Sequence, residues 1–121
     1  MTQQRRDDKS TEFGIWLRQQ KDIDSSLGFV ATNIDYLWRN YKTGSWMLIE
    51  EKRYGALIKP YQENMFKIIN SACKNDPNYK GFHILKFINT SPDNGKIILD
   101  GNEITKDQLL SFLQFRFEEL L

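Results

Sequence analysis

Asp35 and the run Glu50-Glu51-Lys52 have the types and spacing that metal-assisted chemistry uses. Asp35 stands inside an apolar stretch, Ile34-Asp35-Tyr36-Leu37-Trp38. After a gap of fourteen residues, Glu50-Glu51-Lys52 closes a second apolar stretch, Trp46-Met47-Leu48-Ile49. Side chains two apart on a strand share a face, so Glu50 and Lys52 project together while Glu51 contributes mainly its backbone. Asp is disfavoured in strands. A charge embedded among apolar residues calls for a partner or an ion, because burying it alone is expensive. If the two stretches pair as an antiparallel hairpin turning near Thr43-Gly44, Asp35 falls at the end that carries the glutamates. Two carboxylates and an ammonium then converge on one point. The chemistry that wants this arrangement is phosphodiester hydrolysis. Hard oxygen ligands hold Mg²⁺ while leaving it waters and room for a phosphate. The ion polarises the phosphate and acidifies bound water, and an ammonium offsets the charge that builds on the phosphorane oxygens.

The elements that must position these residues read as follows. Ser10 or Thr11 caps a first helix to about Lys21, with Phe13, Trp16 and Leu17 on one face. Strands are predicted at 29–31, 34–39 and 46–52, the last two joined by the turn Tyr41-Lys42-Thr43-Gly44-Ser45. Pro60 opens a helix on which Gln62, Met65, Phe66, Ile69 and Cys73 repeat at helical spacing. A strand at 82–88, a turn at 91–95 and a strand at 96–99 follow. Thr105 and Gln108 form a capping box for a last helix whose stripe is Leu109, Leu110, Leu113, Phe117 and Leu120. The order α-β-β-β-α-β-β-α predicts an α/β (α+β) domain over residues 10–121, helices against a small mixed sheet, behind a flexible segment 1–9.

Asp35, then Glu50-x-Lys52, flanked by strands, resembles the PD-(D/E)XK nuclease superfamily, with Ile34 where many members carry proline. The element order from the first helix through the strand at 82–88 resembles that superfamily's restriction-endonuclease-like αβββαβ core, about 75 residues, with the final strand and helix as an addition. The resemblance implies Asp35 and Glu50 as metal ligands, the Glu51 backbone carbonyl as a further ligand, and Lys52 as the catalytic lysine. Glu12 on the first helix would support the site or a second metal, and Gln62 would support it from the helix after the lysine. The implied cofactor is Mg²⁺ or Mn²⁺. The implied activity is a DNA endonuclease of resolvase-like or phage type, with nucleic acid as partner and homodimerisation to engage both strands. The same superfamily has members that keep the fold and lose the chemistry, leaving a binding or assembly module as the alternative.

Simpler readings exist for each residue. Glu50-Glu51-Lys52-Arg53 alone would pass for a solvated strand end, and Asp35 tips the balance. Glu12 suits a helix N-terminus in any case. His83 reads as a structural or solvated histidine, Cys73 as core, and Lys86 as an exposed edge lysine. Trp38, Tyr41, Trp46 and Tyr54 read mostly as core, with one or two available to stack on bases.

Composition sets the outer limits. One Cys and one His among 121 residues exclude an intramolecular disulfide and a Cys/His zinc site, which fits a reducing compartment. No apolar run approaches the roughly 20 residues of a membrane span, and MTQQRRDDKS lacks the apolar core of a secretory signal. A cytoplasmic protein without membrane contact, phage- or prophage-encoded, is the expectation. Net charge is +1, but residues 39–86 hold nine Lys/Arg against four acids and the remainder eight against twelve. The middle of the chain is thus biased to attract a polyanion around its acidic pair.

Overall fold

In the computed structural model, which describes residues 11–120, helix α1 (Glu12–Arg18) opens where the Thr11 hydroxyl accepts the Gly14 N–H at 3.0 Å. Two single-turn 3₁₀ segments follow, Lys21–Ile23 and Ser25–Leu27, the second capped by the Asp24 carboxylate on the Ser26 N–H. These elements belong to a unit that ends at Thr32; a second unit runs from Asn33. The strand expected at 29–31 is not formed. A three-residue apolar run needs a partner edge to become a strand, and the first unit contains no strand among its described residues. The N-terminal segment 1–9, expected to be flexible, lies outside the described residues.

The second unit is built on a five-stranded sheet in the order β1-β2-β3-β4-β5: β1 Tyr36–Arg39, β2 Trp46–Lys52, β3 Tyr79–Phe87, β4 Ile97–Leu99 and β5 Asn102–Ile104. β1 and β2 form the expected antiparallel hairpin. Its turn is tied by Asn40, whose side-chain oxygen accepts the Lys42 and Thr43 N–H groups, and by Gly44 at φ 85°. Helix α2 (Pro60–Cys73) then crosses over and returns the chain as β3, parallel to β2. β4 and β5 add antiparallel. The fold is mixed α+β.

Alternation along the strands sorts the side chains onto two faces. Met47, Ile49, Leu85, Phe87, Ile97 and Leu99 point to one, where Leu109 and Phe112 of α3 (Lys106–Leu113) complete the main core. Met47 and Phe112 are wholly buried, each contributing about 1.5–3 kcal/mol of transfer free energy. Helix α3 starts at the predicted box, with the Thr105 hydroxyl on the Gln108 N–H and the Gln108 carbonyl on the Thr105 N–H. It stops at Leu113 rather than continuing to Leu120. Phe115 takes φ 63° and the Arg116 N–H returns to the Ser111 carbonyl at 2.8 Å, a left-handed helix stop. The reversal lays Phe117 against Phe112, ring centroids 5.7 Å apart. On the opposite face, Phe66 of α2 stacks on Phe82 at 4.5 Å, close to the buried Leu48. Glu50 and Lys52 lie on this α2 face.

Candidate active site at the open end of strands β1 and β2

The register pairs Tyr36 with Ile49, so continuing the ladder would set Ile34 opposite Glu51. The ladder does not continue. β1 begins at Tyr36, and the Asp35 carboxylate takes over, its Oδ2 accepting the Glu51 N–H at 2.8 Å. Asp35 is therefore a bend residue at the mouth of the hairpin, not a mid-strand residue as the sequence suggested. In an extended strand the N–H and C=O of one residue open to the same edge. The Glu51 carbonyl accordingly faces the edge that holds Asp35.

Glu50 is only 4% exposed. Its Oε2 lies 3.5 Å from the Lys52 ammonium, while Oε1 is buried with no hydrogen bond of good geometry, the Asp35 main-chain N–H lending the carboxylate only partial support. Burial first, and the neighbouring Asp35 charge second, raise the Glu50 pKa above the ordinary carboxylate range, with Lys52 and the Asp35 main chain offsetting part of this. Lys52 also donates to Gln62 Oε1 at 3.3 Å, which fixes the ammonium between β2 and the first turn of α2. Gln62 has a local role too, since the same oxygen accepts the Lys59 N–H at 3.4 Å and helps start the helix. Glu51 turns its side chain to the other face, as alternation requires. There it accepts the Tyr36 hydroxyl at 3.2 Å and pairs with Arg53 at 3.6 Å. The charge of Glu51, with that hydrogen bond, raises the Tyr36 pKa.

Asp35, Glu50, Lys52, Gln62 and the Glu51 main chain are thus brought together. Glu12 stands in the first unit as an exposed residue of the opening turn of α1. Lys86, read from sequence as an edge lysine, is on the interior strand β3 directly opposite Lys52. Like charges abreast on one face oppose folding. Its place follows from the parallel β2/β3 pairing, and the sequence offers no local signal for that. His83 is a satisfied structural histidine: Nδ1 meets Asp100 Oδ2 at 2.7 Å, Nε2 meets the Lys80 carbonyl at 2.8 Å, and the ring sits edge-on to Phe112. Cys73 is half-buried at the end of α2.

Among the described residues, no three His, Cys, Asp or Glu side chains are grouped to hold a metal. Two carboxylates with a main-chain carbonyl are nonetheless a sufficient protein contribution for Mg²⁺, which retains several waters. The unmatched Oε1 of Glu50 is the observation that fits a cation. The donor set is all oxygen, suiting Mg²⁺ or Mn²⁺ rather than a softer ion. Among the described residues, no helix is long and apolar enough to cross a membrane.

An uncharacterized protein from Archaeoglobus fulgidus is 30% identical to this chain over 122 aligned positions, covering 84% of the chain and 79% of the relative. The chain belongs to the same family as that archaeal protein. No family model matches the chain, and no solved structure matches it.

Proposed function

We propose that this member of the archaeal protein's family is a divalent-metal-dependent phosphodiesterase of the PD-(D/E)XK type, a nuclease hydrolysing DNA. The observation that carries the reading is the buried, half-partnered Glu50 carboxylate beside Asp35, with Lys52 fixed against it by Gln62. A structural ion pair would be expected to satisfy both carboxylate oxygens, since an unmatched buried acceptor opposes folding by about 1–3 kcal/mol.

Asp35, Glu50 and the Glu51 carbonyl would hold Mg²⁺ or Mn²⁺, whose part when bound is to polarise the phosphate and lower the pKa of a coordinated water. The chain's own residues do the rest. Asp35 keeps the hairpin mouth open by replacing the ladder bond to Glu51. Lys52 holds a fixed positive charge where negative charge accumulates on the phosphate oxygens as water attacks phosphorus and the P–O bond to the leaving strand breaks. Gln62 positions Lys52, so its removal should act through the lysine. Lys86, abreast of Lys52, adds a second cation where a phosphate would rest.

The test is a cleavage screen over linear, nicked, branched and single-stranded DNA with Mg²⁺ or Mn²⁺, run beside Asp35→Ala and Lys52→Ala. Both variants should lose at least about a hundredfold in rate while retaining the wild-type circular dichroism spectrum. Cleavage by both variants at the wild-type rate would refute the assignment.

A further inference from the structure

A cavity of about 530 Å³ opens at the turn end of the β1/β2 hairpin, away from Asp35. It is lined by the hairpin turn and by the left-handed stop after α3, and its lining includes Arg39, Lys42 and Arg116 but no acid. Trp38, Tyr41 and Phe115 stand between these cations. Tyr41 is 77% exposed and Trp38 43% exposed. Trp38 is pinned by its indole N–H on the Leu113 carbonyl at 2.7 Å, which joins the hairpin to the end of α3. Arg116 is only loosely engaged, 3.9 Å from a Glu119 carboxylate that also accepts the Ser111 hydroxyl. The walls are rigid, because Asn40 ties the turn and the Phe115 reversal is closed by two main-chain hydrogen bonds.

From these features we infer that the cavity binds an unpaired nucleic-acid strand, its phosphates on Arg39, Lys42 and Arg116 and a base on Tyr41 or Trp38. Cations alone would suit any polyanion. The interleaved, exposed aromatic rings select one that carries flat faces, and a base offers its face only when it is out of the duplex. Arg39 pairs with Trp46, four residues along β2 from Glu50. At about 3.3 Å per residue the cavity and the acidic site are about 13 Å apart along the hairpin. They sit on opposite faces of the sheet, since Trp38 pairs with the core residue Met47, so a bound strand would reach the acidic site around the free edge of β1. The inference rests on the nuclease reading and narrows its substrate to nucleic acid that carries a single-stranded stretch.

The experiment measures binding of the full chain to a fluorescent oligothymidylate of about a dozen nucleotides, by anisotropy, in EDTA. A duplex of equal length and a poly-glutamate peptide serve as competitors. The oligothymidylate should bind at least about fivefold more tightly than either competitor. Arg39→Ala/Lys42→Ala should weaken binding about tenfold and flatten the dependence of log K on log salt by about 1.4, two single-strand phosphate contacts. Tyr41→Ala should weaken it about fivefold and leave the salt slope unchanged. Wild-type affinity in both variants overturns the inference, and so does equal competition by the duplex or by the acidic peptide. Cavity-dependent binding without cleavage in Mg²⁺ would support the inference while refuting the nuclease reading.

Discussion

Glu50→Gln separates a catalytic carboxylate from a structural one, because the two roles predict opposite changes in stability. In the wild type the Glu50 pKa is raised from 4.5 by burial and by Asp35. A carboxyl group that holds its proton more tightly when folded is no burden below the unfolded pKa. It destabilises the fold progressively as pH rises from there through the folded pKa, and by a constant amount above it. Glutamine keeps the shape and removes the charge. Its amide oxygen can still accept from Lys52, and the NH₂ group can turn toward the space where Oε1 now has no hydrogen bond of good geometry. Removing the buried charge is worth on the order of 1–3 kcal/mol, because a neutral amide costs less to bury than a carboxylate, against roughly 1 kcal/mol for exchanging a charge-assisted contact for a neutral one. The Lys52 side chain is 18% exposed and retains Gln62, so it is not stranded. The net expectation is a gain of up to about 2 kcal/mol at pH 8, or up to about 10 °C in Tm for a chain of this size.

Urea unfolding of both proteins at pH 8, 6 and 4, in EDTA and in Mg²⁺, measures this. The advantage of Glu50→Gln should be full at pH 8 and vanish below about pH 4.5. Mg²⁺ at ten times its Kd should stabilise the wild type by about 1.4 kcal/mol and the variant by nothing, and cleavage by the variant should fall at least about a hundredfold. A variant less stable than wild type at pH 8, or an advantage that ignores pH, would make Glu50–Lys52 a structural pair and remove the basis for the metal site.

The remaining predictions concern the scaffold. Burial alone would lower the His83 pKa, but hydrogen bonds to Asp100 and the Lys80 carbonyl, with the Asp100 charge, raise it above 6.5. Its stabilisation is therefore complete below about pH 6.5 and is lost as pH rises through the folded value. His83→Gln should cost about 1–2 kcal/mol at pH 6 and much less at pH 9, read from urea midpoints at the two pH values. Gly81 has φ 107°, and an added Cβ would lie 3.0 Å from His83 Nε2. Gly81→Ala should therefore destabilise by about 1–3 kcal/mol and also flatten that pH dependence; a variant with wild-type Tm would contradict the placement. Phe112→Ala opens a hole beneath Met47, Ile49 and His83, and thermal unfolding should register a loss of about 3–5 kcal/mol.

The parts of the structure legible in the sequence are those set by local chemistry. The hairpin turn, the start of α2 at Pro60 and the Thr105–Gln108 box are each decided by residues within one turn of one another. The placement of Glu50 with Lys52, and of Glu51 on the opposite face, followed from strand alternation alone. The differences have separate causes. The apolar run at 29–31 has the composition of a strand and no edge to pair with in its own unit. β5 is three residues with no periodicity, and it forms because Asp100-Gly101, at φ 49° and 89°, makes a tight turn that returns the chain to β4. That Asp-Gly signal was present and carried more weight than the polar composition of Asn102-Glu103-Ile104. The end of α3 depended on Phe115 accepting a left-handed conformation that phenylalanine disfavours, stabilised by packing with Phe117.

Two features of the site could not be read from sequence because each depends on what packing denies a side chain. Glu50 Oε1 has no hydrogen bond of good geometry, and Lys52 and Lys86 stand abreast on neighbouring strands. Each runs against the consistency that folding rewards, and such violations gather at functional positions. Here they are of opposite sign and adjoin on one face, with Glu50 two residues from Lys52 on β2. A cation at the carboxylates would answer the first, and a phosphate against the ammoniums would answer the second. A metal-bound phosphodiester supplies both at once. Neither a free cation nor a simple anion does so alone, and the proposed function rests on that pairing of defects.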